Sequence, residues 1–67
     1  SLQKVIIPMT DNFSFVSDFK NFTEIPANKI FAKDDDIEIS YNKNLYLLFV
    51  KKIIKKEEVA CYLAERI

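Results

Sequence analysis

The sequence contains no glycine, no histidine and no tryptophan, and it has a single cysteine, Cys61. Without histidine, a nucleophile paired to an imidazole base is excluded. A lone cysteine rules out an internal disulfide and a thiolate zinc site, and it points to a buried thiol in a reduced, cytoplasmic protein. The lack of glycine removes glycine-built phosphate loops. It also leaves positive-φ corners to Asn and Asp, the residues that tolerate that geometry best. Long apolar runs are missing too. The longest, Leu45–Val50, has six residues, whereas a membrane-spanning helix needs about twenty. A soluble chain is expected, and a membrane partner is disfavoured because the lysine pairs after Val50 would spread around a surface helix.

What the chain does have is aromatic and aliphatic mass. Six Phe and three Tyr stand among 67 residues. That length makes one small domain, residues 1–67, which hides only about 60% of the surface its unfolded form exposes. Each large side chain it buries contributes roughly 1.5–3 kcal/mol, and a partner surface would add more. Ser1 is not an initiator and the only methionine is Met9, so the chain reads as processed or as a fragment of a longer protein. Net charge is zero but unevenly spread. Residues 1–42 carry four Lys against seven acids, or −3, and residues 43–67 carry five Lys and Arg66 against three Glu, or +3.

Periodicity predicts the elements. Lys4-Val5-Ile6-Ile7, stopped by Pro8, fits an edge strand. Thr10 or Asp11 as N-cap, with Phe15, Val16, Phe19 and Phe22 on one face, predicts a helix over 12–22, although Asn12-Phe13-Ser14-Phe15 alternates as a strand would. Lys29–Ala32 reads as a strand, Lys33–Asp36 as a turn, and Ile37–Tyr41 as a second strand with Ile37, Ile39 and Tyr41 on one face. After the turn Asn42-Lys43-Asn44, a helix beginning at Leu45 would put Lys52 and Lys56 on its apolar face. A central strand over Leu45–Val50, covered on both faces, fits better. Glu57 and Glu58 at a helix start, followed by Val59, Ala60, Leu63 and Ile67, predict a helix over 56–66. The expected fold is α+β in the order β-α-β-β-β-α: a three- to four-stranded antiparallel meander packed by two helices.

No catalytic residue, cofactor or small-molecule substrate is indicated, and an enzyme is not expected. The cluster Asp34-Asp35-Asp36 with Glu38 offers hard oxygens, but contiguous side chains diverge and the spaced ligands of a calcium loop are missing. Two functional readings follow. The first is a non-catalytic protein-interaction or accessory module, homodimeric or docked on a larger protein, suited to an aromatic-rich chain with little interior and open strand edges. The second is a small nucleic-acid-binding or regulatory domain using the basic stretch Lys43–Lys56. There Lys43, Lys51, Lys52, Lys55 and Lys56 would meet phosphates, and Tyr41 and Tyr46 would stack on bases. These seven residues are the candidate partner-binding set.

One local pattern bears on the second reading. Glu57-Glu58-Val59-Ala60-Cys61-Tyr62-Leu63 is similar to the first helix of excisionase-like helix-turn-helix domains, where Glu-Glu-Val-Ala-x-Tyr-Leu is common. The resemblance covers these seven residues. It implies a helix at this place and carries over no DNA-reading residue.

Overall fold

The computed structural model describes residues 2–65. Among them there is no helix. The described residues form seven strands: β1 (Leu2–Ile6), β2 (Phe13–Phe15), β3 (Glu24–Ile25), β4 (Ala32–Asp34), β5 (Ile37–Ile39), β6 (Leu45–Leu48) and β7 (Cys61–Ala64). They form a four-stranded sheet in the order β1-β7-β6-β3 and a three-stranded sheet in the order β2-β4-β5, all antiparallel. The α+β expectation of a meander packed by two helices is thus corrected to an all-β domain.

Each expected helix fails for a physical reason. Over 12–22, the strand alternation of Phe13-Ser14-Phe15 prevails, because Phe13 and Phe15 pair across to Asp34 and Ala32 and turn toward the core. Aromatic side chains fit such a half-buried pleated surface. The intended stripe then breaks apart. Phe15 and Phe19 meet edge to face at 6.2 Å, while Phe22 lies at a left-handed corner, φ 70°, with its side chain 75% exposed. Over 56–66, Glu57 is itself left-handed, φ 70°, which is incompatible with a helical first turn. Its N–H is bonded to the Pro8 carbonyl at 3.0 Å. Cys61–Ala64 then runs between β1 and β6, where both rows of its backbone groups find partners. The excisionase-like pattern therefore sits on a turn and a strand. Arg66 and Ile67 lie outside the described residues.

The strand expectations fare better, with shifts. β1 lies at a sheet edge, as its Pro8 stop implies. The Ile37 strand forms a hairpin with β4, closed by the two-residue turn Asp35-Asp36, so Lys33 and Asp34 belong to the strand rather than the turn. Leu45–Leu48 is a strand with a neighbour on each side, but it leaves the meander and joins the other sheet, between β7 and β3. The expectation that Asn and Asp take the positive-φ corners holds at Asn28 and Asp35 and fails at Phe22, Phe49 and Glu57, which take the same geometry despite a steric cost of roughly 1–2 kcal/mol for a residue with a Cβ.

One core joins the two sheets. Ile6, Leu45, Leu47, Cys61 and Leu63 from the four-stranded sheet meet Phe13, Phe31 and Ala32 from the other layer. Leu47 and Leu63 are direct cross-strand partners and fully buried. On the opposite face of the same strands, Tyr46, Leu48 and Tyr62 are half-buried, with Phe49 edge to face on Tyr62 at 5.6 Å.

Candidate functional site

The seven residues proposed from sequence do not form one surface. Lys43 lies in the bend before β6, 3.8 Å from Glu65. Lys51, Lys52, Lys55 and Lys56 lie past the other end of β6, on the loop to β7, all exposed. Lys52 is 3.3 Å from Asp18. Both ion pairs are exposed and contribute little energy. Lys51 and Lys52 also border a hollow of about 280 Å³ shared with Phe15, Phe19 and Ile54. Tyr41 is half-buried, its ring 6.0 Å from Phe31 and 4.7 Å from the Lys4 ammonium. Tyr46 lies opposite Glu24 and Ala64, on the face of the sheet turned away from the core. Neither tyrosine adjoins the four-lysine loop.

A different surface is better built. A groove of about 460 Å³ opens between β1 and β5, which are edge strands of different sheets. Val5, Ile6 and Ile7 form one wall, and Ile37, Ile39 and Tyr41 the other. The Cα atoms of β1 and β5 stay more than 8 Å apart, whereas paired strands lie about 4.7–4.9 Å apart. The groove between them stays open. Ile7, Ile37 and Met9 are 49%, 67% and 78% exposed.

The groove has charged ends of opposite sign. At one end Asp34 and Asp35 line it beside Met9 and Thr10; at the other, Lys4 lies over Tyr41, while Lys43 in an adjoining hollow is paired with Glu65. Lys4 adjoins Tyr41 and Met9 adjoins Asp34, so β1 and β5 run in opposite directions along the two walls.

Asp34 anchors the acidic end. Its carboxylate accepts the Thr10 hydroxyl at 2.6 Å, the Met9 N–H at 2.6 Å and the Thr10 N–H at 3.1 Å. The Thr10 hydroxyl is the largest influence, followed by the Met9 N–H, and together these bonds hold the carboxyl below its ordinary value of 3.8 against the opposing effect of burial. The corner after β1 is thereby fixed to the start of the β4–β5 turn. Thr10 Oγ1 also accepts the Asn12 N–H at 3.1 Å, and Asp35 N–H donates to the Asn12 carbonyl at 3.0 Å.

Among the described residues, no three of His, Cys, Asp and Glu converge where a metal ion could be held. Asp34 is turned to Thr10 and Met9, while Asp35 faces Asn12. Cys61 is buried, and burial pushes its thiol up to about 12. No helix among the described residues is long and apolar enough to cross a membrane.

Of the groove residues, only Tyr41 belongs to the candidate partner-binding set, and there as a surface for a stacked base. Two signals were present: the Pro8-terminated edge strand and the Ile37/Ile39/Tyr41 row. What neither could show is that these rows would face each other across an open gap. The chain matches no family model, no curated protein and no solved structure.

Proposed function

We propose that this chain is a non-catalytic protein-interaction module of the cytoplasm, and that it binds through the β1–β5 groove. The observation that carries this reading is an apolar groove left open between two unpaired strand edges in a domain with little core to spare. Ile7, Met9 and Ile37 would otherwise present their side chains to water with no structural return. The free, buried Cys61 suits a reducing compartment.

The test is retention of a partner by the immobilised chain, with light scattering alongside to detect self-association. Wild-type chain retains a protein, or shows a mass near twice 7.9 kDa at micromolar concentration. Met9→Asp and Ile37→Asp lose that interaction while melting at the wild-type temperature. A chain that is monomeric and retains nothing would refute the reading.

Nucleic-acid binding through Lys43–Lys56 is the second reading. It is favoured by Lys51, Lys55 and Lys56, which share one exposed loop and form no ion pair among the described residues. It is weakened by Lys43 lying at the far end of β6 and by the Tyr41 ring already lying against Phe31 and the Lys4 ammonium. If it holds, oligonucleotide affinity falls steeply with salt and drops when Lys51, Lys55 and Lys56 become Ala.

A further inference from the structure

We infer that the β1–β5 groove takes an extended segment of a foreign protein. The segment adds as a strand to the free edge of β1, with a basic residue at its N-terminal end and an acidic residue at its C-terminal end. This rests on the interaction-module reading and specifies what that module binds.

Three observations select this occupant. The first is the backbone. Among the described residues β1 is bonded on one side only, to β7, so alternate N–H and C=O groups on its other edge, the edge of the strand that lines the groove, have no strand partner. A helix satisfies its own backbone and has no use for such an edge, whereas an extended segment pairs with it. The second is the opposite wall. Ile37, Ile39 and Tyr41 form an apolar row across a gap too wide for β1 and β5 to pair directly. A strand laid along β1 would direct alternate side chains to one face, which is the spacing that an apolar row accommodates.

The third observation is charge, which sets the direction. β1 runs from Lys4, at the Tyr41 end, toward Met9, at the Asp34–Asp35 end. The strand pairings of this fold are all antiparallel, and a segment that pairs in the same way begins beside Asp35 and finishes beside Lys4. Basic first and acidic last is the complementary order, and the reverse order places like charges together at both ends. The edge strands of this chain do not offer that order. β5 follows an aspartate, β3 begins with Glu24, β2 follows Asp11 by one residue, and β1 has its lysine in the middle. The occupant is accordingly a different protein rather than a second copy.

The test uses the whole chain, labelled with ¹⁵N, and the capped peptide Lys-Val-Thr-Val-Thr-Val-Glu as probe. Amide shifts centred on Lys4–Ile7 and Ile37–Tyr41 are expected, with new exchange protection at amides of the β1 free edge. Ile37→Asp weakens binding about tenfold or more, because one wall loses its apolar contact, while Ile53→Asp, an exposed residue that does not line the groove, has no effect. The reversed peptide Glu-Val-Thr-Val-Thr-Val-Lys binds several-fold more weakly. Methylating the peptide's backbone nitrogens on its β1-facing edge abolishes binding with no change to the protein, so this arm is independent of any folding defect in a variant.

The inference is overturned by shifts mapping elsewhere, by an N-methylated peptide that binds as well as the parent, or by no binding of the parent peptide at all. It is also overturned if the β1 amides shift with protein concentration in the absence of peptide, because the groove is then an interface between copies. Should the immobilised chain retain a partner protein that Ile37→Asp still binds, the interaction-module reading survives and the groove assignment falls.

Discussion

The molecule has two apolar surfaces of similar composition and opposite fate. Leu45, Leu47, Cys61 and Leu63 occupy alternate positions of β6 and β7 and are shut between the sheets. Ile7, Met9 and Ile37 are just as apolar and stay largely in water. The difference lies in the neighbours. β6 and β7 are inner strands with a partner on each side, and their core-facing rows meet the Phe31–Ala32 layer. β1 and β5 are edge strands too far apart to close on each other. Removing apolar bulk should therefore cost folding in the first region and binding in the second.

The largest effect is expected at Leu47. Leu47→Ala leaves a cavity between Leu63 and the opposite layer and should cost about 2–5 kcal/mol in denaturant unfolding. In a chain of this size that approaches the whole stability. A loss below about 1 kcal/mol would mean that the two sheets are not packed as described.

Asp34, at the seam between the two regions, should come next. Asp34→Ala leaves the N–H groups of Met9 and Thr10 without their acceptor. It should lower the thermal midpoint by several degrees and loosen the acidic end of the groove. The same carboxylate gives a pH dependence of defined sign. Its folded pKa lies below the ordinary 3.8, so its contribution is fully present above that value and is lost as the pH falls through the lower folded value. Stability should thus drop on acidification below about pH 4, and that drop should be smaller in Asp34→Ala. An unchanged acid profile in the variant would deny the Thr10–Asp34 link a role.

Ile37→Asp and Met9→Asp should change stability by no more than about 0.5 kcal/mol, as surface substitutions usually do, while losing the partner. If either unfolds the chain, the groove wall is part of the core and the contrast between the two regions disappears. The smallest effect concerns Cys61. With its thiol fully buried and raised to about 12, it should resist a thiol reagent at mildly alkaline pH and react promptly once denaturant is added. Fast labelling of folded chain would show that the sheet opens locally at β7.

Much of this was readable in the residues. The alternation of Ile37, Ile39 and Tyr41, the stop at Pro8 and the dense run at Leu45 each belong to strands, because period two and Pro chemistry act locally. Asn28 and Asp35 take left-handed corners for the same local reason. Elsewhere two periods overlapped. Phe13-Ser14-Phe15 fits a strand, and Phe15, Phe19 and Phe22 fit a helix. Likewise, Cys61-Tyr62-Leu63-Ala64 alternates inside a pattern that also satisfies helical spacing. Local propensity is too weak to separate such alternatives. Pairing with β4 settled the first, and insertion between β1 and β6 settled the second.

By itself, then, the sequence determined the exclusions and the local pieces: no imidazole chemistry, no internal disulfide, no long apolar helix, edge behaviour before Pro8 and the β4–β5 hairpin. Tertiary structure alone decided which strands became neighbours. It sent β6 away from β5 and held β1 and β5 apart. It also placed Asp35 at one end of the resulting groove and Lys4 at the other. The reason is that strand pairing is a long-range choice, made by whichever partner satisfies backbone groups and buries an apolar row together, and no window of adjacent residues contains that partner.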